Sequence, residues 1–314
     1  MRVNDTPRGG ARLSVLVSLP DGQAWSGGLF GLHERCSCHG RDIDGLHAAR
    51  PQKRKPHTET MVQAHGTALV TGGARRIGAA IVRDLAAHGF AVAIHCGHSR
   101  READALAQTV EKDGGRAAVL QADLTDSREA ALLVERTEAA LGFPCIVVNN
   151  ASVFEDDAVT DLDMALWDRH FAVHLKAPAL IAQALAARLP AGGEALIVNM
   201  IDQRVWRPTP RFFSYTLSKS ALWTATQTMA QALGPNIRVN AIGPGPTLPN
   251  QRQEQADFDR QTEALILRRG PDLAEFGRTV RYIWEARSVT GQMIALDGGQ
   301  HLAWETPDVA GVPE

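Results

Sequence analysis

Cysteine is sparse in this chain of 314 residues: Cys36, Cys38, Cys96 and Cys145 are the whole complement, and they fall at no framework spacing. That argues against a disulfide-stapled secreted scaffold and makes a reduced, cytoplasmic protein the expectation. Long hydrophobic runs are missing too, since no stretch approaches the roughly 18 to 20 apolar residues that span a bilayer. Neither sign of charge predominates, with 33 Lys/Arg against 35 Asp/Glu and a formal net charge of -2. So even a balance supplies no general attraction to nucleic acid or to anionic lipid, and neither is expected as a partner. His33, Cys36, Cys38 and His39 lie together, but Cys-x-Cys departs from structural zinc spacings and no second cysteine pair follows. No metal is expected there.

What is present is an ordinary globular composition, 44% hydrophobic and 22% charged, enough for one large core. Its organisation changes near residue 61. Residues 1–60 carry nine Lys/Arg against six Asp/Glu, end in the basic run Arg50-Pro-Gln-Lys-Arg-Lys-Pro-His57, and show no periodicity. They lack the apolar core of a secretory signal, and their acidic residues do not suit a transit peptide. Residues 1–62 are therefore expected to be a disordered extension or an over-called start, with Met61 as the natural beginning. A single domain over 63–306 and a short tail over 307–314 complete the division.

Beyond residue 66, short apolar runs alternate with helical periodicity. Strands are predicted at 67–71, 90–95, 116–123, 145–149, 195–200, 237–242 and 292–296. Helices are predicted at 79–88, 101–113, 127–141, 164–189, 213–233 and 272–285, and 243–271 reads as irregular. Continuous apolar strands joined by helices imply a parallel sheet covered on both faces, a doubly wound α/β fold of the Rossmann type.

The first strand runs into Thr71-Gly-Gly-Ala-Arg-Arg-Ile-Gly78. Gly72 permits a tight turn, Gly78 lets the next helix pack closely, and that helix presents N–H groups and positive dipole to a pyrophosphate. Arg76 stands where a dinucleotide-binding turn often has glycine. After the second strand, His95-Cys-Gly-His98-Ser99-Arg100-Arg101 has no carboxylate before Glu102 to receive a ribose 2′-OH. A 2′-phosphate would meet no repulsion, and Ser99, His98 and the Arg75/Arg76 pair could donate to it, so NADP(H) is favoured over NAD.

A second constellation lies after the fifth strand: Asn199-Met-Ile-Asp202, then Tyr215-Thr-Leu-Ser-Lys219. Tyr215 and Lys219, four apart on a helix, share one face. An ammonium beside a phenol is expected to lower a pKa near 10 toward the range useful for proton transfer during hydride delivery.

These motifs together resemble the short-chain dehydrogenase/reductase family over about residues 66–304: Thr71 to Gly78, Asp123-Leu124, Asn149-Asn-Ala-Ser152, Tyr215/Lys219, Pro244-Gly245 and Val289 to Gly299. The resemblance implies that the turn including Arg75, Arg76 and Ile77 binds cofactor phosphates, and that Asp123 and Leu124 hold the adenine. It further implies that Asn150 and Ala151 flank the ribose, that Pro244-Gly245 fixes the carboxamide, and that Lys219 binds the nicotinamide ribose. Three departures narrow it. Asp202 replaces the usual serine thirteen residues before the tyrosine, Arg76 replaces a glycine, and His174 stands for the relay asparagine. The first two are similar to pteridine reductases, and His174 is similar to the dihydromonapterin reductase branch. That implies proton donation by Asp202 and Tyr215, a Phe154 ring stacked on a pterin, and Ser152 at the cofactor phosphates or the pterin edge. It also implies a homo-oligomer, tetramer or dimer, built on the helices at 164–189 and 213–233. The alternatives are a general carbonyl reductase acting on an oxoacyl or small ketone substrate, and a non-catalytic NADP-binding regulatory protein.

Overall fold

The computed structural model describes residues 65–249, 253–306 and Ala310. The expectations for residues 1–62, the His33/Cys36/Cys38/His39 cluster and most of the 307–314 tail lie outside the described residues.

Seven strands form one parallel sheet: β1 (Thr67–Val70), β2 (Ala91–Cys96), β3 (Ala117–Gln121), β4 (Pro144–Asn149), β5 (Ala195–Met200), β6 (Ile237–Pro244) and β7 (Met293–Leu296). Their order is β3-β2-β1-β4-β5-β6-β7, the doubly wound arrangement implied by the sequence pattern. β1, β2 and β5 are buried at every position, which is why they read as unbroken apolar runs rather than as alternation.

Alternate residues feed two cores. Ala68, Val70, Val92, Ile94, Ile146 and Val148 pack against α1 (Arg76–Ala87), α2 (Arg100–Lys112) and α8 (Leu273–Glu285). Leu69, Ala93, Val147, Ile197 and Val239 face the other way, toward α3 (Ser127–Leu141), α5 (Ala177–Arg188) and α6 (Phe213–Leu233). Two further helices, α4 (Met164–Phe171) and α7 (Gln255–Glu263), complete the described set. No described helix is long and apolar enough to cross a membrane.

The chain winds outward through β2 and β3, then returns to the opposite side of β1 as β4, with Val70 beside Val148. This reversal opens a crevice at the carboxyl ends of β1 and β4, where such folds hold their ligands. Two predicted elements differ. The helix expected over 164–189 is interrupted at Ala172–Lys176 by a π turn between α4 and α5. Pro178 has no N–H to offer the carbonyl four residues back, at His174, so regular helical bonding cannot run through. The stretch read as irregular contains α7, a helix with no buried residue and hence no apolar stripe to reveal it.

Candidate active site

The turn after β1 is built to admit something against its backbone. Gly72 adopts φ +60°, and a Cβ there would stand 2.8 Å from the Ala151 Cα; one at Gly78 would stand 2.3 Å from the Gly72 carbonyl oxygen. Helix α1 starts with Arg75 as its N-cap and no side-chain cap, so no capping side chain claims its first N–H groups. The loop after β4 is tied to this turn: Asn150 Nδ2 donates to the carbonyls of Thr71 and Gly72, both at 3.0 Å. Thr71 Oγ1 accepts from the N–H groups of Asn150 and Ala151, at 2.9 and 3.0 Å. From the other side, His95 Nδ1 accepts the Gly72 N–H at 3.1 Å while its Nε2 contacts the Ala122 carbonyl at 3.1 Å. This histidine was not among the predicted site residues, because its two partners meet only through the sheet.

The two arginines reach different partners. Arg75 lies 3.9 Å from Glu102 on the first turn of α2, the helix whose N-cap is Ser99. Arg76 turns away, donating from Nη1 to the Pro249 carbonyl at 3.0 Å and from Nη2 to the Leu248 carbonyl at 3.2 Å. Arg75 is thus paired with Glu102, and Arg76 holds the segment after β6. Asp123 Oδ1 accepts from the N–H and hydroxyl of Thr125, which holds its pKa below the ordinary carboxylate value, and Leu124 beside it is buried. Pro244 ends β6, and Gly245 N–H donates to the Leu296 carbonyl at 2.8 Å. A Cβ at Gly245 would meet Asp297 at 2.6 Å.

At the carboxyl end of β5, Tyr215 Oη donates to Asp202 Oδ2 at 2.9 Å. Asp202 caps the short turn Gln203–Val205 and is 17% exposed, whereas Tyr215 and Lys219 are buried at 5% and 2%. Burial pushes the Asp202 carboxyl up, against opposing pulls from Arg204, Tyr215 and Lys219. The expected lowering of the Tyr215 pKa is not found. Burial raises it well above its ordinary value, the adjacent carboxylate raises it further, and Lys219 does not offset them. The reason is geometric: the Lys219 ammonium lies 5.8 Å from the Tyr215 ring centre and donates to the Met200 carbonyl at 2.7 Å. Lys219 itself is lowered by burial to about 8.

His174, within the π turn, accepts the Val153 N–H at Nε2 (3.1 Å), so its proton sits on Nδ1, 2.8 Å from Ser218 Oγ. Ser152 Oγ also reaches Nε2, at 3.0 Å. Burial holds His174 well below its ordinary pKa, a neutral imidazole supporting the loop that carries Ser152. A second histidine, His170, stacks on it at 5.5 Å and meets Ser214 Oγ at 2.7 Å.

Phe154 packs edge-on to Tyr215 at 4.8 Å and stacks on Phe212 at 4.4 Å and 5°, giving the site an aromatic wall. Trp206 and Arg207 instead engage the C-terminal segment, through His301 and the Ala303 carbonyl, and Phe213 packs on Trp167.

The family described as "Enoyl-(Acyl carrier protein) reductase" matches residues 72–301. The chain belongs to the short-chain dehydrogenase/reductase family. Among its relatives in that family, a short-chain type dehydrogenase/reductase of Picea abies is 31% identical over 74% of this chain and 91% of its own length. A dihydromonapterin reductase of Klebsiella pneumoniae is 27% identical over 74% of this chain and 96% of its own. Among solved structures, FolM alternative dihydrofolate reductase 1 from Brucella canis, complexed with NADP, is 60% identical, with a TM-score of 0.77, covering 80% of this chain and all of its own.

Proposed function

We propose that this short-chain dehydrogenase/reductase is an NADPH-dependent reductase of a pterin-like substrate of the dihydromonapterin or dihydrofolate type. The observation that carries the reading is the partly buried hydrogen bond from Tyr215 to Asp202 beside the Phe154 ring. The glycine cradle and the open start of α1 fit a pyrophosphate. Arg75, His98 and Ser99 would hold a 2′-phosphate, Asp123 and Leu124 the adenine, Asn150, Ala151 and Lys219 the riboses, and Pro244-Gly245 the carboxamide. The turn residues Gly72, Ile77 and Gly78 with Ser152 would line the phosphates, and Arg76 would close the segment after β6 over them. Bound NADPH supplies the hydride.

The protein's own part is the proton. Burial disfavours ionisation of this phenol, and a carboxylate at hydrogen-bond distance disfavours the phenolate further. Proton donation by Tyr215 is therefore easiest when Asp202 is protonated and replaces the departing proton, a state its raised pKa makes accessible. Such a pair suits a ring nitrogen. An ionised Asp202 is a poor neighbour for a ketone oxygen gaining negative charge but accepts hydrogen bonds from an amino-pyrimidine edge. Phe154 offers its aromatic wall to a flat heterocycle, and Ser152, held by His174, borders it. His174 completes the set as a neutral relay between Ser152 and Ser218.

The names of the Brucella canis and Klebsiella pneumoniae proteins support this substrate class. A carbonyl reductase is the second reading, favoured by a 3-oxoacyl-[acyl-carrier-protein] reductase of Staphylococcus epidermidis, 25% identical over 75% of this chain. We propose a cytoplasmic enzyme that assembles as a tetramer or dimer, the assembly supported by apolar Met164 on α4 and Leu217 on α6, which are exposed.

Initial rates with NADPH and with NADH, on a panel of dihydropterins and a panel of ketones, test the reading. Pterin turnover preferring NADPH is expected, and Tyr215→Phe and Asp202→Asn should each lower its kcat by about a hundredfold or more. Turnover confined to ketones would overturn the pterin assignment, and NADPH binding without turnover on either panel would leave a binding protein.

A further inference from the structure

Arg204 occupies a position between the two halves of the site. It follows Asp202 by two residues, in the turn Gln203–Val205, and its N–H donates to Asp202 Oδ1 at 2.9 Å. Its guanidinium Nε lies 4.0 Å from the same oxygen. The guanidinium carbon is 4.7 Å from the centre of the Phe212 ring and 5.7 Å from that of Phe154. Nη1 donates to Thr209 Oγ1 at 3.3 Å, which fixes the fork in place. The side chain is 20% exposed, so the charge works in a partly dry setting.

We infer that Arg204 is a positioning residue for the reaction, its planar cation tying the proton-donating carboxylate of Asp202 to the aromatic wall of Phe154 and Phe212. Two features require such a tie. Phe212 is held at φ +57°, a left-handed conformation unfavourable for a side chain with a Cβ, and it keeps that conformation only because its surroundings over-determine it. The Asp156 carboxylate accepts its N–H, and Arg204 presses on its ring. In addition, the carboxylate of Asp202 accepts from two donors, the Tyr215 hydroxyl and the Arg204 N–H, and is faced by two cations, Lys219 from α6 and the Arg204 guanidinium from its own turn. Lys219 is committed to the Met200 carbonyl, which leaves Arg204 as the cation whose charge and shape address both carboxylate and wall.

This inference rests on the pterin reading for its substrate and its kinetics, whereas the titration of Asp202 does not depend on that reading. With NADPH and a dihydropterin, Arg204→Met is expected to raise KM about tenfold through loss of the ring support. Removing the cation should also move the fall of kcat at alkaline pH upward by about one unit, because Asp202 then holds its proton to higher pH. Arg204→Lys, which keeps the charge but not the planar fork, should retain the wild-type pH profile and show the raised KM. NADPH affinity unchanged in both variants verifies that they fold. An unchanged KM and profile in Arg204→Met, or a wild-type KM in Arg204→Lys, overturns the inference. If the wild type reduces no pterin, the proposed function fails alone. Carbon-13 NMR of aspartate-labelled protein, with the Asp202 signal identified through Asp202→Asn, still reads the carboxyl titration. An upward shift in Arg204→Met supports the role of the cation, and no shift overturns it.

Discussion

His95 joins two parts of the crevice through one ring. Because Nδ1 accepts the Gly72 N–H, the imidazole proton must sit on Nε2 and donate to the Ala122 carbonyl, just before Asp123 and Leu124. Burial lowers its pKa to about 4 from 6.5. Between those values the unfolded chain binds a proton that the folded chain refuses, so stability rises with pH across the window and is lost as pH falls from 6.5 toward 4. His95 contributes on the order of 3 kcal/mol to that loss. Urea unfolding at a series of pH values should show it, and His95→Asn should reduce the slope, with His170 and His174 leaving one of the same sign. An unaltered slope in the variant would remove His95 as its source. The same scale marks what a sequence can show. Tyr215 and Lys219 were legible because they are four apart on one helix, and Asp202 by its distance from them. The upward shift of Tyr215 was not, because burial belongs to the folded chain. His95 and Arg204 escaped for a related reason: their partners are brought together by the sheet and by a ring stack.

Elements were legible where a buried face repeats. The strands declared themselves as apolar runs, and α3 and α6 match the predicted ranges 127–141 and 213–233. The π turn at Ala172–Lys176 did not, since the apolar period continues across it, and only Pro178 hints at the break. A further consequence sits at the start of α1. Arg76 adopts φ +52°, which costs a residue with a Cβ about 1 to 2 kcal/mol. Its guanidinium in turn holds the Leu248 and Pro249 carbonyls. Arg76→Gly should therefore have two opposed effects. Relief of the backbone offsets the lost hydrogen bonds, so the melting temperature should move by only about 2 to 4 °C. The chain at Leu248 and Pro249, released from Arg76, should be cleaved several-fold faster in limited proteolysis. Equal cleavage rates would show that Arg76 does not hold that segment.

At the scale of the molecule, all seven strands of the described sheet lie from Thr67 onward. β1 begins at Thr67 in the interior of the sheet, hydrogen-bonded to β2 on one side and β4 on the other. Its entry is secured locally: His65 N–H donates to the Gly89 carbonyl, and Thr67 Oγ1 to the Leu141 carbonyl. Every described group named for cofactor or substrate, from Gly72 to Gly245, comes from these strands, helices and their connecting loops. The family match likewise begins at residue 72. A chain starting at Met61 should then bind NADPH with the affinity of the full chain and melt at the same temperature. Fluorescence titration and thermal denaturation of the two proteins side by side make the comparison. Tenfold weaker binding, equivalent to about 1.4 kcal/mol, would mean that the leader supplies part of the site, and a lower melting temperature with unchanged affinity would mean that it packs on the domain away from the crevice.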